Sequence, residues 1–430
     1  MIINKEISTW TLNPKLQSKI YKPDNYIDIK KLNNYLYNFL VVGKLRSYSD
    51  SIFETLVKTT RYNYILDYNK EEGYIECTSG ITLQEIINFI IKDNYFLLVT
   101  PGTKYITLGG AISNDVHGKN HHIHGSFSES ILEIEVLLPN NQIIKINDKN
   151  NDIYKAIVGG IGLIGIILKA KIKLLKIPSP FILQKNFKTK NFNELIDKIY
   201  ELNKYTYNVV WLDLLNATKN NLNSIIQTGE FINYSNFDIE SLINKSNKKI
   251  NIPNFLKIKD IIVKIFNYIY YLLCFEEKIT DYNTFFYPLD KIYNWNILYK
   301  PKGFLQYQII INSEEALEEI IYKITKSNIK PYLSILKFHK EGNNNFLSFP
   351  TKGFSLALDF KLQEGLYNLL NEIDNIVIKN QGRIYLAKDN RIDKNKFMLM
   401  YPKINEFKKI RQELEAHKKY VSLQSMRLGL

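Results

Sequence analysis

Apolar and polar positions change rhythm several times along this 430-residue chain, and each change predicts an element. Near-helical apolar spacing over 28–40 predicts a helix, and Leu40-Val41-Val42 predicts a strand that runs into the turn-forming GKLRSYSDS. YIECTSG reads as strand and turn. Thr82-Leu83-Gln84-Glu85 then fits a capping box opening an amphipathic helix that ends near Asp93. Residues 131–138 and 142–146 form a predicted hairpin around Pro139-Asn140-Asn141, and LKAKIKL alternates as a further strand. Ile177-Pro178-Ser179-Pro180 punctuates the chain and marks a domain boundary. Beyond it come a helix over 193–202, the strands YNVVWLDLL and GFLQYQIII, a helix over 316–327 and the strand FSLALDFKL. Strands and helices mix without a parallel βαβ rhythm, so the expected class is α+β.

Two stretches break the pattern. Residues 100–127, TPGTKYITLGGAISNDVHGKNHHIHGSF, hold five of the 19 glycines and four of the six histidines, with almost no core-forming alternation. Gly102, Gly109, Gly110, Gly118 and Gly125 would let backbone approach a ligand and offer it peptide N–H groups, a backbone cradle. Composition alone reads equally as a long surface loop with turn glycines. Residues 246–284 form an insert in which Lys248, Lys249, Lys257, Lys259 and Lys264 accompany IIVKIFNYIYYLLCF. That pairing suits an interfacial amphipathic helix and a core helix alike.

The remaining chemistry narrows by exclusion. Gly160, Gly162 and Gly165 match the spacing of a dinucleotide fingerprint, yet a β-rich run follows them instead of a helix, and no acidic residue stands before Glu194 to hold a ribose. They fit a tight turn beside a flat ligand better. His117, His121, His122 and His124 lack the carboxylates, HExxH helix or paired cysteines of a metal centre, so no metal is expected. The formal charge of +14 would attract polyanions, but no nucleic-acid module is visible and an Ile, Lys, Asn and Tyr bias accounts for much of the lysine. An acidic membrane face or a phosphorylated substrate remains compatible with that charge. Two distant cysteines, Cys77 and Cys274, allow no disulfide framework, and the N-terminus lacks the layout of a secretory signal, so a cytoplasmic location is expected, peripheral to a membrane if anything.

PGTKYITLGGAISNDVHGKNHHIHGSF at 101–127, GKLRSYSD at 43–50, VGGIGLIGII at 158–167, GFLQYQ at 303–308 and YLAKDNR at 385–391 agree in order and spacing with one family. With these motifs the chain resembles flavoproteins of the vanillyl-alcohol oxidase and p-cresol methylhydroxylase type, and within them the decaprenylphosphoryl-β-D-ribose 2′-oxidases. The resemblance implies a two-subdomain FAD-binding domain from 1–177, rejoined by 383–430, around a sheet-based substrate domain at 178–382. Gly43, Arg46, Ser47, Tyr48, Ser49 and Asp50 from the first loop would hold the cofactor. So would Pro101, Gly102, Thr103, Thr107, Gly109, Gly110, Ser113, Asn114, His117, Gly118 and Asn120 from the cradle, and Gly160, Gly162 and Ile166 from the later turn. Many relatives attach FAD through a histidine after the first loop's glycine; here Leu45-Arg46-Ser47 stands there, implying noncovalent FAD.

On the substrate side the resemblance implies Lys119, Gln306, Gln308, Lys337 and Ser355 as pocket residues, with Lys119 and Lys337 toward a phosphate. Lys388, Tyr385 and His117 would be catalytic: Lys388 near the flavin and the reacting hydroxyl, the other two orienting the sugar. The implied reaction is oxidation of a polyprenylphosphoryl ribose at its 2′-hydroxyl, the first half of an epimerisation toward the arabinose donor of cell-wall arabinan, completed by an NAD(P)H-dependent keto-reductase partner. A soluble aldonolactone or alditol oxidase and a non-catalytic flavin carrier are the alternatives. Two positions depart from the family: Ala357 replaces a pocket cysteine and Ser355 an asparagine.

Overall fold

The computed structural model describes residues 1–218, 221–253 and 258–430. Three sheets organise them. Ile2–Ser8 and Lys15–Tyr21 pair antiparallel, and Thr55–Lys58 and Leu40–Val42 continue that sheet in parallel. A second, antiparallel sheet is built on the long strand Ile166–Lys176, flanked by Tyr74–Thr78 and Ile131–Leu137, with Ile143–Ile146 completing the expected hairpin. The second sheet ends at Lys176, and the third begins at Phe181, just past the prolines read as a boundary. That third sheet has eight antiparallel strands, among them Tyr207–Leu212, Leu333–His339, Gly353–Lys361 and Phe304–Ile311, with Arg383–Ile384 on its edge.

Local signals explain most of the helices. Thr82 accepts from the Glu85 amide while Glu85 returns to the Thr82 amide, so the box starts Leu83–Ile90 as its sequence requires. Leu83, Ile86, Ile87 and Ile90 all face the core. The first helix, Tyr26–Tyr35, is shorter than its apolar spacing suggests, ending before the extended Leu36.

After the edge strand, residues 385–430 return to the first third of the molecule. Phe39 donates its amide to the Lys419 carbonyl and meets the Tyr420 ring edge-on at 5.3 Å. Ser51 donates to Gln424 at 2.6 Å. Arg427 grips Asp50 through two nitrogens, at 2.7 and 3.0 Å, and reaches Asp389 at 3.0 Å. Among the described residues no helix is long and apolar enough to cross a membrane.

Candidate active site

A cavity of about 360 Å³ opens where the first loop, the glycine-rich stretch and the third sheet meet. Its floor follows from strand alternation. Gln306 and Gln308 lie two apart on Phe304–Ile311 and so share a face. Register sets Asp359 and Ala357 opposite them, and Leu333, Ile335 and Lys337 opposite Asp359, Ala357 and Ser355 on the next strand. Side chains directly across a ladder point the same way. One face of three strands therefore carries both glutamines, Ser355 and Lys337 into the cavity.

The roof is the glycine-rich stretch, which is far more packed than its composition suggests. Thr107 caps the short helix Leu108–Ser113, and Leu108, Ala111, Ile112, Asp115 and His117 are all buried. The expectation that its glycines offer bare amides is corrected at three of them: Gly109 donates to the Ser79 carbonyl at 2.9 Å, Gly110 to the Thr107 hydroxyl at 3.2 Å and Gly125 to the His121 carbonyl at 3.0 Å. There glycine serves close approach, since a Cβ on Gly109 would lie 3.0 Å from the Ser79 Cβ, and one on Gly43 only 2.1 Å from the Thr107 Oγ1. Gly102 differs, because a Cβ there would meet nothing within 4 Å.

The first loop, the cradle and the later turn bring Gly43, Arg46, Ser47, Tyr48, Pro101, Gly102, Thr103, Thr107, Gly109, Gly110, Ser113, Asn114, His117 and Gly162 to the cavity wall. The other residues expected to touch cofactor or substrate lie behind it. Ser49 belongs to a hydroxyl chain between Ser47 and Ser51, and Asp50 is committed to Arg427. Asn120 donates to the Leu98 carbonyl, and Gly118 and Gly160 are glycines because Thr100 O and Ala156 O would collide with any Cβ. Ile166 is buried in the second sheet, while its neighbours Gly165 and Ile167 reach the wall. Lys119 is turned away: its ammonium donates to the Phe285 carbonyl at 2.7 Å and sits 4.0 Å above that ring. Lys257, expected in the insert, lies outside the described residues.

Lys388, Tyr385 and His117 converge at one end. The Gln308 amide donates to His117 Nε2 at 2.9 Å and to Ser355 Oγ at 3.1 Å, so the single ring proton of His117 resides on Nδ1, which has no partner. Burial holds this imidazole well below its ordinary pKa, and hence neutral. Tyr385 donates to the Asn114 carbonyl at 2.9 Å, tying the returning segment to the roof. Lys388 stands 3.4 Å over the Tyr48 ring. Burial pushes its pKa down and that of the neighbouring Asp359 up, and each tempers the other. Gln306 donates to Asp359, fixing the carboxylate from the opposite strand. Lys337 is a half-buried lysine that forms no ion pair among the described residues, and desolvation alone lowers it to about 8.

Sequence reasoning missed Asp359, two positions beyond Ala357 on the alternating GFSLALDF, where the period-2 rule would have found it. It also missed Trp10, Asp290 and Trp295, which close the side near Arg46; the guanidinium lies 3.9 Å over Trp10, and Asp290 fastens Thr103 and the Lys104 amide. Of the four histidines in the glycine-rich stretch His117 lines the cavity, while His121 stacks on His339 at 4.1 Å, His122 meets the Tyr205 carbonyl at 2.8 Å and His124 ends a one-turn helix.

Residues 23–147 match the family of the FAD binding domain. The chain is thus a flavin-dependent oxidoreductase, and the first loop and the glycine-rich stretch that line the cavity fall within the matched segment. Over 409 residues it is 29% identical to the decaprenylphosphoryl-beta-D-ribose oxidase of Mycolicibacterium smegmatis, covering 90% of this chain and 88% of that protein. An uncharacterised Streptomyces coelicolor protein is 22% identical over 81% of this chain and its own full length. More distant likeness, 24% over 28% of the chain and 22% of the relative, reaches L-gulonolactone oxidase 3 of Arabidopsis thaliana. The family resemblance read from the motifs therefore extends along nearly the whole chain.

The cavity suits the cofactor. Gly102 leaves open space where any side chain would intrude, Gly162 at φ 77° brings backbone to the wall with only one atom within 4 Å of a Cβ, and Arg46 and Lys44 supply cations suited to a pyrophosphate. His117 is the sole histidine among the described lining residues, and neither cysteine is there.

Proposed function

We propose that this protein oxidises a secondary hydroxyl of a polyprenylphosphoryl pentose, the 2′-hydroxyl of the ribose, using noncovalent FAD held by the wall of the first loop and the glycine-rich stretch. The observation that carries the reading is that two lysines line one cavity in different settings: Lys388, backed by the buried Asp359, and Lys337, which forms no ion pair among the described residues. The first suits proton removal and the second suits a phosphate.

When bound, FAD supplies the two-electron acceptor for the hydride released by the alcohol carbon. Everything else falls to the chain. Gln306 and Gln308 present amide groups from one strand face to the sugar hydroxyls. Lys388, pushed toward the neutral amine by burial, can take the hydroxyl proton, and Asp359 beside it stabilises the ammonium that results. Neutral His117 keeps a free Nδ1–H to donate to a substrate oxygen. Lys337 holds the phosphate by charge-assisted hydrogen bonds that need no competing carboxylate to be displaced. Ala357 and Ser355 leave a smaller, thiol-free wall opposite Gln308 and Ile310. A FAD-binding region of 1–177 plus 383–430 around a substrate region of 178–382 agrees with the returning C-terminal contacts. The keto product would need an NAD(P)H-dependent reductase to complete an epimerisation.

The test is anaerobic bleaching of the flavin absorbance. Polyprenylphosphoryl ribose should reduce the protein, and free alditols or aldonolactones should not. Reduction by a free alditol with release of peroxide, and none by the phosphorylated sugar, would replace this reading with a soluble sugar oxidase.

A further inference from the structure

The helix Asp260–Leu272 is apolar on both sides. Val263, Asn267 and Tyr271 form its buried stripe, spaced four apart. On the opposite side Ile261, Ile262, Ile265, Phe266, Ile269 and Leu272 are each between 45% and 63% exposed, and Leu273 just beyond is 79% exposed. At 100° per residue these positions share one broad face. A soluble helix ordinarily places charge there, and an apolar face of this breadth marks a contact surface.

Two further observations say what covers it. The first is position. Tyr271 packs with Trp211 and Ile225 against Leu333 and Ile335, and the last two line the cavity. Val263 packs in a cluster with Trp295, another lining residue. The helix thus stands one side chain from the cavity. The second is charge. Lys259 and Lys264 border the helix, Lys330 stands near enough to Lys264 to feel its charge, and Lys188 reaches the Leu272 carbonyl at 3.0 Å. Of the carboxylates nearby, Asp260 is bonded to the Tyr332 hydroxyl, Glu277 to Lys185 at 2.9 Å and Asp213 to the Asn267 amide at 2.9 Å, which leaves Glu276 as an exposed acid beside the four lysines. A second copy docking on this face would bring lysines against lysines, in a chain already carrying +14. Anionic lipid headgroups meet the same lysines with opposite charge.

We propose that the exposed face of Asp260–Leu272 lies in the headgroup region of an anionic bilayer, seating the cavity beside the membrane that holds its substrate. The lipid-linked substrate of the previous section gives this surface its purpose, but the surface is tested without any sugar.

Full-length, FAD-loaded protein is sedimented with vesicles of phosphatidylcholine alone or containing roughly a third phosphatidylglycerol. The protein should pellet with the anionic vesicles. A double variant, Ile265→Glu and Phe266→Glu, should partition about a hundredfold less, from two lost apolar anchors and two added negative charges. Its flavin spectrum and its turnover of a short-chain, water-soluble phosphorylated pentose should match the parent. Parent protein left in the supernatant with both vesicle types overturns the proposal, as does a double variant that pellets equally. So does a parent dimer in size-exclusion chromatography that the double variant abolishes, which would assign the face to a second copy. Failure of the parent to turn over the soluble sugar, with vesicle binding intact, counts against the reaction alone.

Discussion

Replacing Lys337 with methionine should make the protein more stable and a poorer enzyme. The side chain keeps its length and apolar stem but loses an ammonium that burial holds at a pKa of about 8, against an ordinary 10.5. Because the folded value lies below the unfolded one, the unfolded chain binds the proton more tightly. The penalty on the fold is therefore full below about pH 8 and fades as pH rises to 10.5. A shift of this size corresponds to at most about 3 kcal/mol, and the side chain's partial contact with solvent reduces it to about 1–2 kcal/mol. In urea titrations at pH 7, Lys337→Met should exceed the parent by that amount, and the difference should shrink as the titration is repeated toward pH 10. Loss of a charge-assisted contact to phosphate, about 1.5–3 kcal/mol, should raise KM for the phosphorylated sugar roughly 10- to 100-fold with kcat little changed. A methionine variant less stable than the parent at pH 7 would show that Lys337 has a partner in the fold. An unchanged KM would remove the phosphate from its side of the cavity.

Lys388→Ala should keep its flavin, because the first loop and the glycine-rich stretch are untouched, and slow anaerobic reduction by about 10²–10³-fold; full turnover would exclude Lys388 from proton removal. Gly102→Val should fold with an unchanged circular-dichroism spectrum, since a Cβ there meets nothing within 4 Å, yet bind FAD about tenfold or more weakly in a fluorescence titration. Asp50→Ala should lower stability by only about 1–2 kcal/mol, because Arg427 keeps Asp389, and should expose residues 383–430 to limited proteolysis while the folded fraction retains stoichiometric FAD. Flavin loss with unchanged urea stability would instead return Asp50 to the cofactor.

What was legible in the sequence was what depends on local periodicity. Alternation placed Gln306 and Gln308 on one face, and the capping box fixed the start of Leu83–Ile90. Register between distant strands was not legible, and register is what sets Asp359 opposite Gln306 and puts Lys337 on the same face of the sheet. Glycine was read as freedom where it often means crowding: Gly118 and Gly160 are small because a carbonyl lies where their Cβ would be. The direction of a long side chain was equally hidden. Nothing in HGKNHH distinguishes a lysine aimed at a ligand from Lys119, whose ammonium is satisfied by the Phe285 carbonyl. For the insert, composition allowed a buried or an interfacial helix, and the structure shows a helix with a narrow buried stripe and a wide apolar face left open.

The order in which the chain supplies the reaction centre has its own consequence. Strand Arg383–Ile384 completes the third sheet only after every other strand has been made, and Tyr385 and Lys388 follow directly behind it. During synthesis the glycine-rich roof and most of the floor exist before the residue that would handle the proton. A nascent chain could thus grip the nucleotide end of its cofactor while still inert, and competence would arrive in a single late step, when Gln424 and Arg427 clasp the first loop and draw the lysine into place.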